Sequence, residues 1–148
     1  MNRLELRFSA LLENVSFART SVASFVSCLN PTIDEIQEIK TVISEAVSNA
    51  IIHGYKLNGS KDVFVKVSIK KRKVQMIIQD YGVGIKNVKE ALEYNFTSQK
   101  ENEHAGMGFT IMQSLTDDFE VKSYLGLGTK LILQKELTPL SEEVLECL

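Results

Sequence analysis

Glu45 and Asn49 stand four residues apart in the run Glu45-Ala46-Val47-Ser48-Asn49-Ala50. Downstream of them, six of the eight glycines fall into three Gly-x-Gly pairs: Gly82/Gly84, Gly106/Gly108 and Gly126/Gly128. A carboxylate and an amide oxygen at that spacing share one helix face and can hold a hard cation. Glycine lets the backbone bend sharply and lets a polyphosphate approach bare amides. One pair alone would say little. Three pairs behind a Glu/Asn couple describe a nucleotide site assembled from distant segments.

The elements that must position these residues can be read from periodicity. Met1 to Arg7 alternates weakly and suits a first strand. Ala10 to Leu29 reads as a helix with Leu11, Val15, Val22 and Phe25 as core candidates, ended by Asn30-Pro31. Thr32-x-x-Glu35 is a capping box. The helix it starts carries Ile36, Ile39, Ile43, Val47 and Ala50 at helical spacing, with Gly54 as its expected terminator. Val63, Val65, Val67 and Ile69 alternate, then Val74, Met76 and Ile78, so residues 63–78 read as a hairpin with a solvated Lys70-Lys71-Arg72-Lys73 tip. Asp80 falls where the second strand leaves the sheet.

Residues 86–93 suit a short helix. Tyr94 to Ala105 is polar and reads as a binding loop or lid. Gly106-Met107-Gly108 opens a helix containing Ile111, Met112 and Leu115, and Met76, Met107 and Met112 are expected in the core or the pocket wall. Strands around Phe119–Val121 and Leu131–Leu133 flank the last glycine pair. This mix predicts an α+β, two-layer sandwich: a mostly antiparallel sheet covered on one face by helices. The expected organisation is a domain over 1–136 and an acidic tail over 137–148.

The totals narrow the function classes. The chain has 148 residues, 44% apolar and 24% charged, as in ordinary globular domains. A net charge of -2 gives no electrostatic case for nucleic acid or an anionic membrane. The first seven residues lack an apolar signal core, and Cys28 and Cys147 need not pair, so cytoplasmic residence is the default expectation.

Phosphate-binding patterns of fixed spacing fail. There is no Gly-x4-Gly-Lys-Ser/Thr, and the third glycine of a dinucleotide fingerprint is replaced by Asn87, Ile111 and Leu131. The eukaryotic kinase signatures are absent too. What remains is Glu-x3-Asn, Asp-x-Gly-x-Gly, Gly-x-Gly at a helix start and Gly-x-Gly-Thr before a strand. That ordered set, over about residues 33–135, resembles the Bergerat-type ATP-binding domain shared by DNA gyrase, the large heat-shock chaperone, histidine kinases and the MutL repair protein. The runs Glu38 to Tyr55, Gly106 to Met112 and Ser16-Phe17-Ala18-Arg19 are similar to the anti-sigma F factors of spore-forming bacteria, small serine kinases that sequester a sigma factor.

The resemblance implies ATP and Mg2+ as cofactors, with Asn49 as metal ligand and Glu45 as base for a serine of the protein substrate. It implies that Asp80 accepts from the adenine amino group and that Thr129 supports the adenine pocket. Gly82, Gly84, Gly106 and Gly108 would complete the nucleotide cradle, Thr97, Lys100 and His104 would lie in the lid, and Arg19 would face a partner. The implied partners are sigma F, an anti-anti-sigma protein and a second copy in a homodimer, with no nucleic acid and no membrane. Each residue also has a plainer reading: a backbone-bonded asparagine, a solvated glutamate or arginine, a turn-starting aspartate, a glycine hairpin. His53 is expected to be structural.

Two rivals remain from the residues. A histidine kinase catalytic domain would need a phosphoacceptor histidine, and only His53 and His104 exist. An ATP-holding module that sequesters without catalysing is the other. A gyrase- or chaperone-like clamp would need further domains. One departure from the resembling family bears on catalysis: where it carries arginine before the Gly-Met-Gly, this chain has Glu103-His104-Ala105. Arginine stabilises a transferring phosphoryl group at any pH, whereas histidine is mostly neutral near neutrality. Phosphoryl transfer is therefore expected to be slow unless Lys100 supplies the charge. His104→Arg should raise turnover over the parent; equal turnover would remove this argument.

Overall fold

The hairpin alternation puts one complete face of a sheet into the interior. In a computed structural model, which describes residues 1–93 and 107–148, the elements run β1 (Asn2–Ser9), α1 (Asn14–Val26), α2 (Ile33–Asn49), β2 (Asp62–Lys70), β3 (Lys73–Asp80), α3 (Val88–Ala91), α4 (Gly108–Leu115), β4 (Asp118–Tyr124), β5 (Gly128–Glu136) and α5 (Glu142–Cys147). The strands form one sheet in the order β1-β2-β3-β5-β4, and every neighbouring pair is antiparallel. This is the expected α+β sandwich.

Val63, Val65, Val67 and Ile69 of β2, Val74, Met76 and Ile78 of β3, and Leu131 and Leu133 of β5 are buried. Each such side chain stabilises by about 1.5–3 kcal/mol. A single hydrogen bond contributes about 0.5–1.5 kcal/mol net. Burial therefore decides which face the helices cover. The α2 helix lies at the centre of that layer, packed against α1 on one side and α4 on the other. Its Ile39, Val42, Ile43, Ala46 and Val47 are buried.

Three expectations are corrected or refined. Leu11 precedes α1 and is 40% exposed, so it is not a core residue. Its side chain instead lies against Gly59. Gly54 does end the helical run, as the last residue of the turn that continues α2, but not through a left-handed cap: Lys56 and Leu57 are the residues with positive φ there. The hairpin tip is not simply solvated. Arg72 donates from Nε to the Thr138 carbonyl and from Nη1 to the Leu29 carbonyl, both at 2.6 Å.

The capping box is real and does more than its sequence pattern requires. The Glu35 amide donates to Thr32 Oγ1 (3.1 Å), and the Thr32 amide donates to Glu35 Oε2 (2.9 Å). The second oxygen, Oε1, accepts from the Thr138 amide at 2.7 Å. The Leu137 amide donates to the Arg72 carbonyl, and Leu137 is buried. Thus one carboxylate ties the start of α2 to the chain after β5.

Burial pushes the Glu35 carboxyl upward, but the bonds from Thr138 and Thr32 and the Arg72 charge outweigh it. The net folded value lies below the ordinary 4.5. Its stabilisation is complete above that value and lost as pH falls through the lower folded one. Glu35→Gln should lower unfolding free energy by about 1–3 kcal/mol at neutral pH. The gap in melting temperature between parent and variant should then narrow in strong acid. A gap independent of pH would contradict the charge-assisted role.

Candidate functional site

The α2 helix does not stop cleanly at Asn49. It passes into one π-helical turn, Ala50–Gly54, in which the Tyr55 amide bonds the Ala50 carbonyl at 2.9 Å. Single π turns inside helices often mark functional sites. Here the turn packs against β3 and β5 and forms the floor of a cleft.

The cleft has a volume of about 180 Å³ and opens to solvent at its mouth. Asn49 lines it from α2, Asp80 from the end of β3, Gly84 from the following loop and Thr129 from β5. Phe109 of α4 and Ile78 of β3 supply apolar wall. Four of the sequence-predicted residues therefore meet in one cavity although up to 80 positions separate them.

Asp80 is 5% exposed. Burial pushes its carboxyl above the ordinary value, against the lowering effect of backbone bonds at Gly82 and Thr129. The Gly82 amide donates to Asp80 Oδ1 at 2.9 Å. Gly54 lies directly over the carboxylate: a Cβ there would come within 2.7 Å of Oδ1. Gly82 lies over Gly54 in turn, where a Cβ would meet the Gly54 carbonyl oxygen at 2.0 Å, and the Val83 amide donates to that same oxygen at 2.9 Å. The two glycines are required by contact, not by turn geometry.

Glu45 does not line this cleft. It borders a polar groove with Arg19, Lys40 and Ser44. Gly108 is the first residue of α4. A Cβ on Gly108 would come within 3.1 Å of Asn49 Nδ2 and 3.3 Å of Glu45 Oε2. Glu45 and Asn49 thus both approach the first residue of α4. Arg19 sits 3.4 Å from Ser44 Oγ and 3.4 Å from Ser16 Oγ, one residue from Glu45 along α2.

The other expectations fall out as follows. Met76 and Met112 are fully buried, whereas Met107 is 47% exposed and belongs to neither core nor pocket wall. It precedes the first turn of α4, before the apolar face begins. His53 lines the cleft mouth, and partial desolvation together with Lys56 keeps its imidazole below the ordinary value, so it is neutral near neutral pH. Gly106, Thr97, Lys100 and His104 lie outside the described residues.

Ser123, Gly54 and Tyr55 carry structure that the pattern search missed. Ser123 Oγ accepts from the Ile85 amide (2.8 Å), donates to the Gly128 carbonyl (3.0 Å) and meets Thr129 Oγ1 at 2.8 Å. It anchors the loop after β3 to the strand that bears Thr129. A serine in an alternating strand gives no signal of that role.

The Gly54 contact is directly testable. Gly54→Ala must displace the Asp80 carboxylate, and overpacking of this kind costs about 1–3 kcal/mol. The variant should melt several degrees lower and bind nucleotide more weakly in calorimetric titration. An alanine variant that melts and binds like the parent would show that Asp80 is not confined.

Comparison with known proteins agrees with this geometry. Residues 8–135 match the histidine kinase-like ATPase domain family. The chain is 47% identical to the anti-sigma F factor of Bacillus licheniformis over 137 residues, covering 93% of this chain and 94% of that one. It is 49% identical to the Bacillus subtilis anti-sigma F factor over 137 residues, with the same coverage. Against the Clostridium perfringens (strain SM101) anti-sigma F factor it is 46% identical over 136 residues, covering 92% and 97%.

Among solved structures, the RsbU and RsbW domains of Rv1364c from Mycobacterium tuberculosis superpose with a TM-score of 0.65 at 17% identity, covering 93% of this chain and 32% of that one. A histidine kinase domain from Erythrobacter litoralis superposes with a TM-score of 0.55 at 17% identity, covering 83% and 61%. These two likenesses concern the fold alone. The family match implies that the chain binds ATP. With 46–50% identity along nearly its whole length, the chain belongs to the anti-sigma F factor family, within the histidine kinase-like ATPase domains.

Proposed function

We propose that this protein is an ATP- and Mg2+-dependent serine kinase that also acts as an anti-sigma factor. It holds sigma F in an inactive complex, phosphorylates a serine of an anti-anti-sigma protein, and works as a cytoplasmic homodimer in sporulating cells. Residues 1–136 form its ATP-binding domain and 137–148 its tail. The observation that carries the reading is the approach of Glu45 and Asn49 to Gly108, the first residue of α4, where a Cβ would come within 3.1 Å of Asn49 Nδ2 and 3.3 Å of Glu45 Oε2.

In this reading the Asp80 carboxylate accepts from the adenine amino group while Thr129 supports the same pocket. The side-chain oxygen of Asn49 fits a hard cation. A Mg2+ held by Asn49 would offset the charge that builds on the phosphates. Among the described residues there is no cluster of three or more carboxylate, imidazole or thiolate groups able to hold a metal. Glu45, at the border of the polar groove, takes the proton from the substrate serine hydroxyl. The serine oxygen forms the new bond to the γ-phosphorus as the bond to the β-bridging oxygen breaks, leaving ADP. Arg19, Lys40 and Ser44 place a polar, partly cationic wall beside Glu45, where a protein substrate would enter. Sigma binding and kinase action are coupled through nucleotide state, which must favour one partner by differential affinity.

The Glu103-His104-Ala105 departure favours a second reading, an ATP-holding module that acts by sequestration alone. Purified protein incubated with labelled ATP, Mg2+ and a candidate antagonist separates the two. Label on serine is expected, and Glu45→Ala should lower transfer about 10²–10⁴-fold while leaving ATP binding intact. Asn49→Ala should weaken metal-dependent ATP binding itself. Sigma binding without any transfer by the parent would favour sequestration, and no ATP binding at all would sink both.

A further inference from the structure

We infer that Tyr55 is a positioning residue for nucleobase recognition: its hydroxyl is built into the β2–β3 ladder and sets where β3 releases Asp80. The inference rests on the reading of the cleft as an ATP site. Phe64 pairs with Gln79, so two further steps of the same register set Asp62 opposite Tyr81. In an ordinary antiparallel ladder the Tyr81 amide would donate directly to the Asp62 carbonyl. Here the Tyr55 hydroxyl stands between them. It accepts from the Tyr81 amide at 2.8 Å and donates to the Asp62 carbonyl at 2.6 Å.

The phenol therefore replaces one rung and holds the strands apart at that point. The splayed end is where β3 turns from the sheet, one residue after Asp80. Tyr55 itself is only 7% exposed and follows the π-helical turn whose Gly54 covers the Asp80 carboxylate. One short segment, Gly54-Tyr55, thus touches both the carboxylate and the amide just beyond it. Neither contact reaches the phosphate end of the cleft at Asn49 and Gly108. Removing the hydroxyl should consequently loosen recognition of the base and spare recognition of the phosphates.

The test compares the parent with Tyr55→Phe and Asp80→Asn in titrations with ATP, GTP and inorganic tripolyphosphate. Tyr55→Phe is expected to lose about tenfold in ATP affinity, a loss of one net hydrogen bond, with the ATP-to-GTP preference falling by the same factor. Tripolyphosphate affinity should not change. An equal loss for all three ligands would mark a merely structural role and overturn the inference, as would no loss for any. Asp80→Asn should lose ATP preference whichever way Tyr55→Phe behaves; if it does not, the ATP reading of the cleft fails and the inference with it. In the unmodified protein the Tyr81 amide, just past β3, should exchange as slowly as the amides of β3, and rapid exchange there would also overturn the proposal.

Discussion

A carboxylate buried at the end of a strand needs partners and room, and the floor of the cleft is arranged around meeting both needs for Asp80. The room comes from Gly54, whose missing side chain lets the last turn of the central helix rest on the carboxylate. The partners come from the loop that follows, where the Gly82 amide reaches Oδ1. Because Gly82 in turn rests on the Gly54 carbonyl, helix, strand and loop interlock with no space for a methyl group at either glycine. An unpaired buried carboxylate would cost several kcal/mol. The interlock is what allows the group to stay there with a cavity beside it.

The central helix α2 carries that arrangement across the molecule. Its N-terminus is held by a capping box whose glutamate also binds the Thr138 amide. Along its middle, Glu38 meets Lys135 at 2.6 Å, and that nearly buried ammonium also donates to the Leu115 carbonyl at the end of α4. A cation at a helix C-terminus is favourable to the helix dipole. The far end of α4 is therefore fixed to α2 and β5, while its first residue lies over Glu45 and Asn49.

Much of this was legible in one dimension. The hairpin alternation, the capping box and the four ordered motifs each depend on local periodicity or spacing, and local rules survive in the folded chain. Other features were not legible because they are set by neighbours distant in sequence. Gly54 looks like a helix terminator and nothing more until Asp80 is seen beneath it. Arg72 looks like one more cation in a solvated tip until the Leu29 and Thr138 carbonyls come within its reach. Leu11 has a helical spacing to Val15 but lies before the helix begins, outside the core. Ser123 and Tyr55 belong to no motif, since a hydroxyl advertises nothing until its partners are known.

The sequence by itself determined the architecture, which follows from backbone period and the burial of apolar faces, and through a resemblance of ordered motifs it pointed to the family and to candidate residues for a nucleotide site. Only the tertiary structure decided which of those residues share a space. It placed Asn49, Asp80, Gly84 and Thr129 in one cleft and Glu45 in a polar groove with Arg19. That division depends on which long-range neighbours pack against α2, and close contact between distant segments is a property that no linear spacing encodes.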